Sequence, residues 1–83
     1  GTKKARKRGA DPRLTPAQWQ AIYEAHEGRC YYCGTDGPMH MEHMIPLSRG
    51  GTHTADNVVP ACPTCNLSKH TLTADEFRER MAS

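Results

Sequence analysis

The sequence predicts a small α+β domain stapled by a structural metal ion, with one helix at each end of the fold. Three observations carry this. The chain has 83 residues, of which 36% are hydrophobic and 6% aromatic. Its four cysteines form two Cys-x-x-Cys pairs, Cys30/Cys33 and Cys62/Cys65. Helix-start signatures at Thr15 and Thr73 flank two short apolar runs suited to strands. A chain this short makes one domain with a modest core, and such domains ordinarily depend on disulfides, a metal or a partner subunit. The apolar runs fall far short of the roughly 20 residues that span a bilayer, so no membrane contact is expected. The opening GTKKARKRGADPR has no apolar stretch and does not read as a secretory signal. A cytoplasmic, reducing location is therefore expected.

The formal net charge of +2 hides an asymmetry. Residues 1–13 carry six basic side chains (Lys3, Lys4, Arg6, Lys7, Arg8 and Arg13) against Asp11, a net of +5. Residues 14–83 carry five basic and eight acidic side chains, a net of −3. Residues 1–13 offer almost nothing to pack and read as a disordered basic arm. Residues 14–83 read as the single folded domain. Such an arm binds polyanions, nucleic acid above all, or serves as a solvated leader.

The first helix opens at Thr15-Pro16-Ala17-Gln18, with Thr as cap, Pro at the first helical position and Gln three residues after the cap. Trp19, Ile22, Tyr23 and His26 then recur at i, i+3, i+4 and i+7, which predicts one buried stripe. Gly28 is the expected C-terminal cap. After the first cysteine pair and a turn at Thr35–Pro38, Met39–Ile45 reads as a strand closed by Pro46. A Gly-containing loop leads to a second short strand at Val58–Val59. Cys62-Pro-Thr-Cys65 opens a helix to about Lys69. Thr73-Ala-Asp-Glu76 is a second capping box, starting a helix that sets Phe77 and Met81 on one face. Met39, Met41 and Met44 read as fillers of core gaps.

Each Cys-x-x-Cys turn aims two sulfurs at one point, and two such turns complete a tetrahedron for Zn²⁺. The pairs are separated by 28 residues, with Gly34 after the first and a helix start after the second. Disulfides are the alternative, disfavoured in a reducing compartment. A structural zinc contributes on the order of 10–16 kcal/mol to folding, more than a core of this size supplies.

The residues around the cysteines carry chemistry. Glu42 and the Asn66 side-chain carbonyl could offer oxygen to a hard cation, Mg²⁺ or Mn²⁺. A neutral His43 could take a proton from water, and Arg49 and Lys69 could hold phosphate. Strict strand alternation places Glu42 and His43 on opposite faces, so their convergence requires the strand to end or bend there. His40 and His53 read as surface or supporting residues, and His26 as a core histidine.

The ordered set Glu42-His43-Met-Ile-Pro46-Leu-Ser-Arg-Gly-Gly51, Asn57, then Cys62-Pro-Thr-Cys65-Asn66-Leu-Ser-Lys69 resembles the HNH endonuclease pattern. The resemblance covers Cys30 to Lys69, about half of the chain. It implies a ββα-metal, treble-clef-like fold with a four-cysteine zinc and a divalent cation at the active site. It also implies DNA phosphodiester hydrolysis leaving 5′-phosphate and 3′-hydroxyl ends. By the same resemblance, His43 is the general base, Asn57 steadies the loop and the His orientation, and Asn66 binds the catalytic cation. Glu42 is the acidic ligand, at a position where the family more often has Asp. Arg49 and Lys69 face phosphate.

The leading function is thus a metal-dependent DNA endonuclease. The alternatives are a non-catalytic zinc-knuckle module that binds nucleic acid through Lys3, Lys4, Arg6, Lys7 and Arg8, and a zinc-stabilised protein-interaction domain. No helix rich in Arg, Asn or Gln suggests base readout. Weak sequence preference, or targeting by a partner protein, is expected.

Overall fold

The computed structural model describes residues 13–82. Apart from Arg13, the basic arm lies outside the described residues. Helix α1 (Pro16–Ala25) begins with the expected capping box: Thr15 Oγ1 accepts the Gln18 N–H at 3.1 Å, and Gln18 Oε1 accepts the Thr15 N–H at 3.0 Å. The helix closes with the Glu27 N–H on the Glu24 carbonyl and the Gly28 N–H on the Tyr23 carbonyl, both at 2.9 Å. The left-handed turn starts at Glu27 (φ 57°), one residue before the expected cap. Trp19, Ile22, Tyr23 and His26 are half-buried, not buried as the spacing predicts. The helix packs on a sheet of only two strands, too narrow to cover the whole stripe.

Strand β1 (His40–His43) pairs antiparallel with β2 (Val58–Ala61), with Glu42 opposite Val59 and His43 opposite Val58. The strand expected over Met39–Ile45 is trimmed at both ends. Beyond His43 the Ile45 N–H leaves the strand direction and donates to the Asn57 side chain at 2.9 Å. The second strand is longer than expected and runs on through Pro60, whose missing N–H is tolerated on an edge strand. The Pro60 carbonyl accepts the Tyr31 N–H at 2.8 Å, which draws the first cysteine turn onto β2. Two single-turn 3₁₀ helices, Leu47–Arg49 and Ala55–Asn57, shape the loop between the strands.

Cys62 caps α2 (Pro63–Lys69), its sulfur accepting the Cys65 N–H at 3.4 Å. The Thr73/Glu76 capping box forms and starts α3 (Ala74–Ala82). The Ala74 N–H donates to the Met44 carbonyl at 2.8 Å, fixing α3 beside the end of β1. Buried Cys30, Ala61, Cys62, Cys65 and Phe77 form the core, with Tyr32, Met39 and Leu72 packed around them. Met41, read as a filler of core gaps, is 46% exposed, and Met81, on the helix face of buried Phe77, is 45% exposed. Burial of Phe77 is worth about 1.5–3 kcal/mol. A zinc ion in the cysteine cage is worth about 10–16 kcal/mol, so the staple dominates. Among the described residues no helix is long and apolar enough to cross a membrane.

Candidate active site and metal centre

The four cysteine sulfurs lie within 4.8 Å of one another, and Cys33 and Cys62 Sγ are 3.7 Å apart. Zn–S bonds of about 2.3 Å hold tetrahedral sulfurs roughly 3.8 Å apart, so the cage has the dimensions of a zinc centre. A disulfide needs about 2.05 Å, and all four thiols are free. Cys30 Sγ accepts from the Tyr32 and Cys33 amides at 3.4 and 3.5 Å. Burial raises the Cys30 thiol, but hydrogen bonds from the backbone of Cys62, Cys33 and Tyr32 outweigh it and bring the group down to about 7. That favours the thiolate at Cys30, while burial and the neighbouring sulfurs push the Cys65 thiol up.

The cage clamps the first cysteine turn, the end of β2 and the start of α2 together, and α2 packs on β1. From α2 the Lys69 side chain reaches inward. It is fully buried, its Nζ 2.5 Å from Glu42 Oε2, and it donates to the His43 carbonyl at 2.9 Å. This corrects two expectations. Lys69 does not face phosphate, because it has no exposed surface. Glu42 is not held open to solvent for a cation: strand alternation turns it to the inner side, where it is 7% exposed and paired with Lys69. The strand does not bend to bring Glu42 and His43 to one side. Half-buried Tyr32 has its hydroxyl pushed well up by burial and by the Glu42 charge.

His43, on the outer side of β1, is half-buried. Its Nε2 lies 2.9 Å from Nδ1 of His53, with the two rings tilted at 59°. Burial lowers its pKa below 6.5, the His53 and Lys69 charges lower it further, and Glu42 opposes them. The His53 carbonyl accepts the Leu14 N–H at 2.8 Å, so the segment entering α1 holds the loop that carries this histidine.

Asn57 is buried and works as a clamp. Its Oδ1 accepts the Ile45 N–H at 2.9 Å, and its Nδ2 donates to the Ile45 and Thr52 carbonyls at 3.0 and 2.8 Å. Its own carbonyl accepts the Met44 N–H at 2.8 Å. It therefore steadies the chain on both sides of the loop. Gly51 is required here by close approach: a Cβ would sit 1.7 Å from the Ile45 oxygen. Gly50, at φ 92°, reverses the chain after the first 3₁₀ turn.

Asn66 is half-buried on α2, three residues before Lys69 and so on a neighbouring part of the same helix face. Arg49 is exposed but already engaged. Its Nη1 is 2.6 Å from Glu76 Oε1 and 3.3 Å from the Thr71 carbonyl. The Arg49 guanidinium, with the Thr73 amide, holds the Glu76 carboxyl down at about 2. Lys3, Lys4, Arg6, Lys7 and Arg8 lie outside the described residues. His40 is exposed, in keeping with a surface role. His26 Nδ1 is 2.9 Å from the Ile22 carbonyl and its ring meets Tyr31 edge-on, as a packing histidine does.

The His43–His53 pair, the Glu42–Lys69 pair and the Arg49–Glu76 tie were not read from the sequence. Each joins residues 10 or more apart through a loop or across elements, so no local periodicity reports it. The Gly50-Gly51 pair was the one available signal that the loop folds back closely on the strand end.

The family model for HNH endonuclease matches residues 30–72, just over half of the chain. Type IV methyl-directed restriction enzyme EcoKMcrA of Escherichia coli (strain K12) is 36% identical over 58 residues, covering 59% of this chain and 21% of that protein. The SPbeta prophage-derived YoqL of Bacillus subtilis (strain 168), whose name assigns it to the HNH endonucleases, is 28% identical over 78 residues, covering 77% of this chain and 33% of that protein. The chain thus spans between a fifth and a third of the length of these relatives. The matched segment holds the cysteine cage, the strand end bearing His43, the Asn57 clamp and Asn66 in one ββα frame, and the chain belongs to the HNH endonuclease family.

Proposed function

We propose that this domain hydrolyses DNA phosphodiester bonds with Mg²⁺ or Mn²⁺, with His43 as general base, leaving 5′-phosphate and 3′-hydroxyl ends. The observation that carries the reading is the placement of His43. Its ring sits at a strand end whose backbone is gripped by Lys69 on one side and by the Asn57 clamp two residues on. A base must be held within hydrogen-bond reach of the water it deprotonates, and this frame removes the freedom that would blur that position. His43 takes the water proton as the oxygen attacks phosphorus. A divalent cation held there would supply polarisation of the phosphoryl oxygens and charge stabilisation of the leaving oxygen. Of the expected oxygen donors Glu42 is committed to Lys69, which leaves the Asn66 carbonyl. Water and substrate phosphate would complete a hard cation's shell.

The basic arm would add phosphate contacts without base readout, so weak sequence preference or targeting by a partner protein follows. The restriction enzyme's name supports DNA as the substrate class. Free thiols suit a reducing, cytoplasmic setting. The competing reading, a zinc-knuckle module that binds nucleic acid without cutting, draws on the Glu42–Lys69 pair, which withdraws the expected carboxylate from the cation.

A plasmid-nicking assay over a panel of divalent ions, with zinc quantified, separates the two. The enzyme reading expects Mg²⁺- or Mn²⁺-dependent nicking that His43→Ala abolishes while zinc content and DNA affinity persist. Binding without nicking under every ion would establish the module instead.

A further inference from the structure

We infer that His53 is a positioning residue that sets the tautomer of His43: the His43 Nε2–H donates to His53 Nδ1, and His43 Nδ1 is left as the lone pair that takes the proton. The inference rests on the reading of His43 as general base. The two ring nitrogens stand 2.9 Å apart, at hydrogen-bond length, so one carries a proton and the other a lone pair. Were the proton on His53 Nδ1, the lone pair of neutral His43 would be consumed at Nε2. Its Nδ1 would then carry a hydrogen and could not act as a base. Only the opposite arrangement leaves a basic nitrogen on His43 free to meet water.

The pair is built into the loop and is no chance contact of two surface rings. Both histidines are half-buried. The His53 carbonyl accepts the Leu14 N–H at 2.8 Å, and the next anchor along the loop is the Thr52 carbonyl, held by Asn57 Nδ2 at 2.8 Å. At the other end, the His43 carbonyl accepts from Lys69. Two elements distant in sequence thus set the two rings against each other.

The arrangement also has a consequence in the reaction. As His43 gains a proton at Nδ1 it becomes a cation, and its Nε2–H bond to the neutral His53 becomes charge-assisted and stronger. His53 then stabilises the protonated base where a second positive charge would oppose it. The proton gained at Nδ1 balances the one lost by water, and His53 keeps its own proton at Nε2 throughout.

The test is ¹⁵N-resolved NMR of the imidazoles in the zinc-loaded protein near pH 7.5, alongside nicking kinetics. His43 is expected as the Nε2–H tautomer, with Nδ1 unprotonated. His53→Phe is expected to lower kcat by about 100-fold, the lower end of what a general base contributes, with KM and zinc content held. His53→Asn, whose amide oxygen can accept from His43 Nε2, is expected to restore most of the rate. A His43 Nδ1–H tautomer in the parent protein would overturn the inference, as would His53→Phe with unchanged tautomer and kcat. If the parent protein nicks nothing with any ion, the nuclease reading falls on its own, and the tautomer spectrum still decides whether His53 orders His43.

Discussion

At the scale of single residues, the imidazole of His43 is tuned by what surrounds it. Burial lowers its pKa below 6.5; His53 lowers it further when that ring is itself charged, Glu42 raises it and Lys69 lowers it. The base form is the neutral one, present above the pKa. Nicking is therefore expected to rise with pH through a midpoint below 6.5 and then level off, measured as kcat/KM on protein whose zinc content is checked at each pH. A midpoint above 6.5 would contradict the assignment. The same shift links to stability: unfolded His43 binds its proton more readily than folded His43, so its contribution to stability is lost as pH falls below 6.5.

Lys69 makes a different residue-scale prediction. Replacing it with Met strands the Glu42 carboxylate in the interior, and breaking a buried pair from one side costs about 3–5 kcal/mol. Urea denaturation should show that loss, and Glu42→Leu added to Lys69→Met should recover most of it. The salt dependence of DNA binding should not change. A flatter salt slope with unchanged stability would return Lys69 to the phosphate contacts.

At the scale of elements, the loop between β1 and β2 is the part that determines where His43 stands. It crosses itself at Gly51, where a side chain would overlap the Ile45 carbonyl, and Asn57 closes it with three side-chain hydrogen bonds. Asn57→Ala leaves an amide and two carbonyls without their partner. The expected cost is at least about 1–3 kcal/mol, the penalty for one unsatisfied buried group. Nicking at a temperature where the variant stays folded should fall further than this stability loss explains, because the chain just beyond His43 is released. Full activity in a folded Asn57→Ala protein would show that the loop needs no such clamp.

At the scale of the molecule, the cysteine cage closes a loop of 28 residues between its two pairs and joins the first turn, β2 and α2. The core around it is a handful of side chains, and α1 lies on it only half-buried. Removal of zinc by a chelator is therefore expected to unfold the domain, with near-ultraviolet circular dichroism lost and then regained on adding Zn²⁺. Retention of that signal in metal-stripped protein would show that the hydrophobic contacts suffice alone.

Local chemistry was legible in the sequence wherever it acts over a few residues. Capping boxes at Thr15 and Thr73 formed as the residues dictate, because the bonds run between positions three apart. The cysteine cage was legible because a tetrahedral ion imposes its own spacing on each pair, whatever the chain does between them. The pattern of residues around His43, Asn57 and Asn66 identified the family before any geometry was known. Which way charged side chains turn was another matter. Strand alternation sent Glu42 inward and His43 outward, and α2 delivered Lys69 to meet the buried carboxylate. A burial of charge that strong depends on a partner 27 positions along the chain. The His43–His53 contact depends likewise on a loop folded back by Gly51 and Asn57. Sequence alone determined the elements, the staple and the family, since these rest on short-range bonds and on one metal's geometry. The tertiary structure decided which ionisable groups face water and which pair in the dark, since that is settled by packing between elements.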